Sequence, residues 1–264
     1  MLIDKYNQRV DAINSLLCVG LDPDFDKLPT KFKQKNFPQF EFNRWIIEQT
    51  AEYAAAFKPN IAFYEARGEQ GIHELKMTMD FLIEQYPDIF TSCDAKRADI
   101  GNTNNGYAKF IFDWLGFDSI TLHPYLGSEA LKPFLDRKDK VSIILCRTSN
   151  SGAGEFQDLV VDGQTIWEIV AEKVANEWNK NSNCMLVVGA TYPEEMKRIR
   201  EITPGVTFLV PGVGAQGGDV GDAVRSGLDK SGKGLMINSA RGIIFSEDPA
   251  KAAKALRDEI NQYR

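Results

Sequence analysis

The chain is expected to fold as a closed (β/α)8 barrel, a single domain over residues 1–264. Three observations predict it. Short apolar runs of strand length alternate with longer runs whose apolar residues recur at helical spacing. The alternation repeats eight times without interruption, which implies a parallel sheet covered by helices. Eight such units over about 250 residues match the size of one barrel, and no Ser/Gly-rich linker divides them. An open, doubly wound sheet is the alternative arrangement.

The elements follow in order. "SLLCVGLD" (15–22) reads as the first strand and "FEFNRWIIEQTAEYAAA" (40–56) as a helix. Between them, "DFDKLPTKFKQKNFPQ" (24–39) is an inserted loop with no evident chemistry. "FKPNIAFY" (57–64) is strand-like, and "QGIHELKMTMDFLIEQY" (70–86) is a helix. "IFTSCDAK" (89–96) is a strand, followed by the helix "TNNGYAKFIFDWLG" (103–116), which Gly116 closes. "FDSITLHP" (117–124) is a strand stopped by proline, and "GSEALKPFLDR" (127–137) a helix despite Pro133. "KVSIILCR" (140–147) is a strand, and in "GQTIWEIVAEKVANEWN" (163–179) Ile166, Trp167, Ile169, Val170, Val174 and Trp178 share one helical face.

Three more units complete the count. They are "NCMLVVGA" (183–190) with "PEEMKRIREIT" (193–203), "VTFLVPG" (206–212) with "DVGDAVRSGLDKS" (219–231), and "GLMINSA" (234–240) with "DPAKAAKALRDEINQY" (248–263). Asp248 and Pro249 have the residue types of an N-cap and first helical position. The tryptophans at 45, 114, 167 and 178 fall on helices and are expected to pack against the sheet.

Composition narrows the function classes. A net charge of −6 argues against a nucleic acid or an anionic membrane as the main partner. No apolar run reaches the roughly 18 residues of a membrane span, and the polar, amphipathic N-terminus does not read as a signal peptide, so the expected compartment is the cytoplasm. Cys18, Cys93, Cys146 and Cys184 form no C-x-x-C pair and lie in or beside apolar runs, which predicts buried free thiols. The two histidines, His73 and His123, are far apart, so no zinc site of ordinary spacing is expected.

A barrel of this kind builds its site at the C-terminal ends of its strands. There the chain places Asp22, then Lys58 and Asn60, then Asp94 and Lys96, then His123, then Arg147, Thr148 and Ser149. Strand alternation points Asp94 and Lys96 to the same side, with Asp99 just beyond. With Lys58 from the neighbouring strand, two lysines and two aspartates share one mouth. Such a network shifts pKa values and can poise a proton for transfer; the plain alternative is a salt bridge that fixes a loop. Gly212, Gly214, Gly217 and Gly218 after the seventh strand, together with "SARG" after the eighth, occupy the usual phosphate position of a barrel. Gln216 offers amide donors there and Arg241 a forked cation. His123 is read as a structural residue at a strand end.

At these residues the chain resembles the orotidine 5′-phosphate decarboxylase family. "DAKRADIGNT" (94–103) is similar to that family's D-x-K-x-x-D-I-x-x-T signature, and "GLDPD", "FKPNIAFYE", "CRTSNSGAGEFQ", "PGVGAQGGD" and "SARGI" follow in the family's order, from about residue 15 to 245. The resemblance implies a (β/α)8 barrel, a homodimer, no metal, no organic cofactor, and conversion of orotidine 5′-monophosphate to UMP. It implies that Asp22 and Lys58 contact the ribose hydroxyls, with Asn60 beside them in the substrate site. Asp94 would face the substrate carboxylate, and Lys96 would protonate C6. Asp99 and Thr103 would act in the neighbouring subunit's site, and Ser149 would bind the pyrimidine edge. Gln216, Arg241 and backbone N–H groups near Gly212 and Gly242 would hold the phosphate. Some branches of the family follow the glutamine closely with a tyrosine; here Gly217 and Gly218 follow it. Two other functions fit the same barrel: a magnesium-dependent sugar-phosphate lyase, disfavoured by a lysine at position 58, and a non-catalytic phosphate-ligand sensor, which needs no proton donor.

Overall fold

The computed structural model describes residues 2–213 and 217–264. In chain order its strands are β1 (Leu17–Leu21), β2 (Ala56–Pro59), β3 (Phe90–Arg97), β4 (Ser119–Leu122), β5 (Val141–Arg147), β6 (Val160–Val161), β7 (Gln164–Thr165), β8 (Cys184–Val188), β9 (Phe208–Val210) and β10 (Leu235–Ser239). Strands β6 and β7 pair with each other as an antiparallel hairpin. The other eight close on themselves in chain order, each parallel to its neighbours. The expected (β/α)8 barrel is therefore the observed fold. Its strands have one face in the barrel and one under helices, so they are written as continuous apolar runs; β1, β4 and β8 are buried at every residue.

The N-terminal helix Leu2–Ile13 lies across the end where the strands begin. The Tyr6 hydroxyl donates to the Leu235 carbonyl at 2.6 Å, and its ring meets the edge of Phe90. Lys5 pairs with Asp118 at 2.7 Å, and Arg9 donates to the Ala51 and Ala54 carbonyls. One end of the barrel is thus covered by the chain itself, and the opposite end carries the polar side chains.

Several elements differ from the sequence reading for identifiable reasons. The run 57–64 is not one strand. β2 stops at Pro59, and the Asn60 side chain accepts the Ala62 N–H, starting a short helix at Ala62–Glu65. Segment 24–39 has its own order, a 3-10 turn at Phe25–Lys27 and a helix at Thr30–Lys33, and Pro38–Gln39 already begin the helix Pro38–Thr50. It is anchored by buried Leu28 and Phe32, and by Gln39, whose amide donates to the Pro23 and Phe63 carbonyls. The helix after β9 spans Val220–Gly227 only, because the Asp229 carboxylate takes the N–H groups of Ser231 and Lys233 into a turn. Asp162 and Gly163, both at positive φ, form the hairpin turn between β6 and β7, a signal already present in "VVDGQT". Trp167 and Trp178 are buried as expected and Trp45 packs on Phe32 and Phe42, but Trp114 is exposed and stacks on Phe110. Asp248 caps its helix by accepting the Lys251 N–H, with Pro249 in the first turn. All four cysteines are buried and unpaired. Burial pushes the Cys18 and Cys184 thiols up to about 12.

The Tyr6 hydroxyl bond predicts a measurable cost. Tyr6→Phe strands a buried carbonyl and should lower the unfolding free energy by about 1–2 kcal/mol. Urea titration followed by far-UV circular dichroism checks this; an unchanged midpoint would show that the bond contributes nothing to the fold.

Candidate active site

A cavity of about 410 Å³ opens at the C-terminal ends of the strands. Three neighbouring strands build its charged floor. Lys58 Nζ, from β2, donates to Asp94 Oδ2 at 2.9 Å, and Lys96 Nζ donates to Oδ1 of the same carboxylate at 2.6 Å. From β4, Thr121 Oγ1 donates to Oδ1 at 3.0 Å, and Asn60 Nδ2 reaches Oδ2 at 3.4 Å. Asp22 closes the group from the end of β1, with Oδ1 accepting the Asn60 N–H at 3.2 Å.

The placement of Lys96 depends on an irregularity in β3. Pairing with β4 shifts register between Cys93 and Arg97, and Lys96 has φ +46°. A non-glycine residue in this region costs free energy and persists only where surrounding contacts hold it. Thr121 Oγ1 does so by accepting the N–H groups of both Ala95 and Lys96, at 3.0 and 2.9 Å. Thr121 thus holds the bulge and the carboxylate together. Simple alternation put Asp94 and Lys96 on one side; the side chains do meet, but across a bulge.

The ionisation states follow from these contacts. Burial alone would raise the Asp94 carboxyl, but Lys58 and Lys96 outweigh it and hold the group well below the usual carboxylate range. Burial likewise disfavours a charged Lys58, yet Asp94 and Asp22 together raise it above the ordinary lysine value. Asp22 is pushed up, first by burial and then by Asp94; Lys58 offsets this only in part. One ammonium therefore acts on two carboxylates: the one it bonds stays ionised, and the other is only partly compensated. Lys58 is 4% exposed, whereas the Lys96 side chain is 50% exposed. Both ammoniums line the cavity, and Lys96 is the one more open to solvent.

The β5 end supplies the opposite wall, with Thr148, Ser149, Asn150 and Gln157. Arg147, 3% exposed, lies over the Tyr192 ring at 3.7 Å and pairs with Asp158 at 3.3 Å. Its guanidinium also donates to Gln157 Oε1, which accepts the Thr148 N–H at 2.9 Å. Gly189 packs so closely that a Cβ there would lie 2.9 Å from the Ser149 Cβ and backbone nitrogen. Ser149 is thereby positioned by a neighbouring strand as well as by its own loop.

None of the other described candidate residues is among those lining this cavity. Gly212, at φ +97°, accepts the Gly218 N–H at 3.1 Å and closes the base of the glycine loop. Gln216 lies outside the described residues. Gly242 borders a second depression with Gly218, Asp219 and Ser239. Arg241 is exposed beside Lys27 and Trp45, and among the described residues it is the one arginine with no ion-pair or hydrogen-bond partner. Asp99 and Thr103 do not line the cavity of their own chain. The Asp99 carboxylate accepts the Ile100 N–H at 2.7 Å, Asn104 clamps its backbone, and Thr103 is exposed on the helix Gly101–Ala108. The expected four-residue charge group is therefore Lys58, Asp94 and Lys96 with Asp22, rather than with Asp99, within one chain. His123 tethers a loop, with Nε2 3.0 Å from the Ala98 carbonyl oxygen.

Sequence reasoning missed Thr121, Gln157 and Asn238 as lining residues. Thr121 and Asn238 are polar residues one position from the C-terminal ends of their strands, a signal that could have marked them. Among the described residues, no three His, Cys, Asp or Glu side chains gather as a metal-ligand set. No described helix is long and apolar enough to cross a membrane.

A closed eight-stranded barrel with a charged cavity at its C-terminal strand ends defines the class, a (β/α)8 protein built as barrel enzymes are. Residues 15–256 match the Orotidine 5'-phosphate decarboxylase / HUMPS family, and the chain belongs to that family. A relative from Christiangramia forsetii named orotidine 5'-phosphate decarboxylase is 48% identical over 254 residues, 96% of this chain and 93% of the relative. One from Cellvibrio japonicus with the same name is 44% identical over 99% of this chain and 98% of its own. The solved structure of Leishmania donovani OMP decarboxylase superposes with a TM-score of 0.89 at 40% identity, covering 99% of this chain and 98% of that one.

The charge pattern gives a pH prediction. Asp22 has a raised pKa in the fold, so its ionisation opposes folding at neutral pH. Below about pH 4 the group is protonated in both states and the penalty vanishes. Asp22→Asn should therefore raise the thermal midpoint near pH 7.5 and leave it unchanged at acid pH. Asp94, with its depressed value, behaves oppositely: its contribution is full above about pH 4 and is lost as the pH falls through its folded value. Calorimetric scans across pH test the first claim, and a uniform Asp22→Asn effect at all pH values would contradict it.

Proposed function

We propose that the protein is an orotidine 5′-phosphate decarboxylase, a carbon–carbon lyase of the cytoplasm that converts orotidine 5′-monophosphate to UMP and CO2. The reaction needs neither metal nor organic cofactor, and it completes de novo UMP synthesis. The observation that carries this reading is the Asp94 carboxylate held between the Lys58 and Lys96 ammoniums in the barrel mouth of a family member. An ammonium at 2.9 Å from Asp94 also weighs against the magnesium-dependent lyase, because it would repel a divalent ion there.

The chemistry follows from the charges. Breaking the bond between C6 and the carboxyl carbon leaves an electron pair in the ring plane, with no adjacent carbonyl to delocalise it. Enzymes overcome barriers of this kind with about 8–23 kcal/mol of transition-state stabilisation. A fixed ammonium beside C6 supplies electrostatic stabilisation as charge develops, with no reorganisation needed at that moment. Lys96 then gives its proton to C6, and its exposure to solvent lets the amine regain one. Asp94 keeps Lys96 cationic and faces the departing carboxylate. Asp22, Lys58 and Asn60 bind the ribose side, and Ser149 binds the pyrimidine edge. Gly212, Gln216, Arg241 and Gly242 hold the phosphate, and an arginine without a protein partner supports that role for Arg241. Phosphate binding energy contributes to the reaction by fixing the base against Lys96.

Asp99 and Thr103 act in the site of a second copy, so the working unit is a homodimer. Their position outside their own cavity supports this, as does the apolar surface of Ile100, Tyr125 and Leu126, exposed by 60%, 85% and 45%.

The decisive assay is the loss of orotidylate absorbance on adding chelator-treated protein. Lys96→Ala should reduce turnover to background while UMP binding survives, and near-normal turnover in that variant would refute the assignment. Mixing inactive Lys96→Ala and Asp99→Ala subunits should restore part of the activity, since one of the two sites in each heterodimer is intact. No recovery after verified subunit exchange would rule out a shared site.

A further inference from the structure

We infer that Asn238 is a further substrate-contact residue, whose side-chain amide donates a hydrogen bond to a ribose hydroxyl. The inference rests on the nucleotide reading given above and extends it to the β10 wall.

Asn238 lies within β10, in register with Cys18 of β1, and lines the cavity. Its Oδ1 is sealed from solvent and accepts no hydrogen bond. That oxygen faces β1: a Cβ on Gly20 would lie 3.5 Å from it. This leaves the Nδ2 end for the cavity, and among the described residues Asn238 has no side-chain hydrogen-bond partner. A buried amide oxygen without a partner costs the folded protein free energy, and such exceptions call for an explanation. An aliphatic residue would avoid that cost. The adjacent walls use one: β8 and β9 line the cavity with Val187 and Leu209, followed by Pro211. Asn238 is thus the polar side chain on an otherwise apolar side of the cavity.

Its place selects the ligand group. Going round the barrel, Asn238 lies between Asp22 after β1 and the glycine loop after β9, and Arg241 and Gly242 follow three and four residues later. A nucleotide spanning from a phosphate grip to Lys96 presents its sugar to this wall. The pyrimidine edge is taken by the β5 wall on the other side. The cavity-facing amide nitrogen donates, and a ribose hydroxyl oxygen accepts.

Calorimetric titration of UMP and of its 2′-deoxy and 3′-deoxy analogues, with thermal unfolding of the ligand-free protein, tests this on the unmodified protein, Asn238→Ala and Asn238→Ser. The expected result is a UMP dissociation constant raised about tenfold in Asn238→Ala, as for one lost hydrogen bond to a ligand. Asn238→Ser, which keeps a donor, should recover part of the affinity. One deoxy analogue should bind the unmodified protein and Asn238→Ala equally. The ligand-free midpoint of Asn238→Ala should not fall, because the substitution removes an unsatisfied group. A midpoint several degrees lower, or a UMP constant within twofold, overturns the inference. Equal weakening for UMP and both analogues also overturns it, by placing the contact off the hydroxyls. Absence of UMP binding and of orotidylate decarboxylation in the unmodified protein would overturn the nucleotide reading together with this one.

Discussion

Asp94 accepts hydrogen bonds from two ammonium groups carried on different parts of the barrel, and the surrounding site keeps that arrangement charged and fixed. Lys58 is buried and is kept cationic only by the carboxylates beside it. Asp94 is buried and kept anionic only by the lysines. Removing Lys58 or Asp94 would leave the other as a poorly compensated buried charge, which is costly. The parallel barrel makes the cluster possible, because it ends neighbouring strands at one mouth with their side chains converging. Thr121 adds what strand geometry alone does not supply, since one hydroxyl group holds both the bulge at Lys96 and the carboxylate.

Away from the mouth, several buried amides are committed to the backbone. Buried Gln39, Asn104 and Asn183 each bridge backbone groups of separate segments. Around the mouth the pattern changes. Arg241 lacks a partner, the Asn238 amide is unpaired, and Asp22 keeps a carboxylate that burial opposes. Sites that hold ligands depart from internal satisfaction in this way, because groups already committed to the protein are not available to a ligand. The proposed reaction uses that reserve. The cation without a partner suits a phosphate, and the half-exposed ammonium of Lys96 suits a proton donor that must be recharged.

The barrel and the centre of the site were legible in the sequence because both rest on local regularities. Strand-length apolar runs reflect burial on two faces, and "DAK" after such a run places charge at a strand end. Thr121 and Asn238 escaped notice because an uncharged polar residue near a strand end carries no periodic signature; their meaning comes from what lies beside them on other strands. The break at Pro59–Asn60 was missed because apolar residues continue on both sides of it in "FKPNIAFY". Asp99 was grouped with Asp94 by its nearness in sequence, yet the backbone turns there, and Asn104 holds it away from its own chain's cavity.

The sequence by itself determined the class of fold, the count and order of its strands, and the strand ends that carry the ionisable residues, because these follow from hydrophobic period and chain direction. Only the tertiary structure decided which carboxylate the two lysines share, which of them stays open to solvent, and which polar groups are left without a protein partner. Those outcomes depend on distances between residues on different strands, such as Lys58 and Asp94, 36 residues apart in the chain, and electrostatic energies change steeply over such distances.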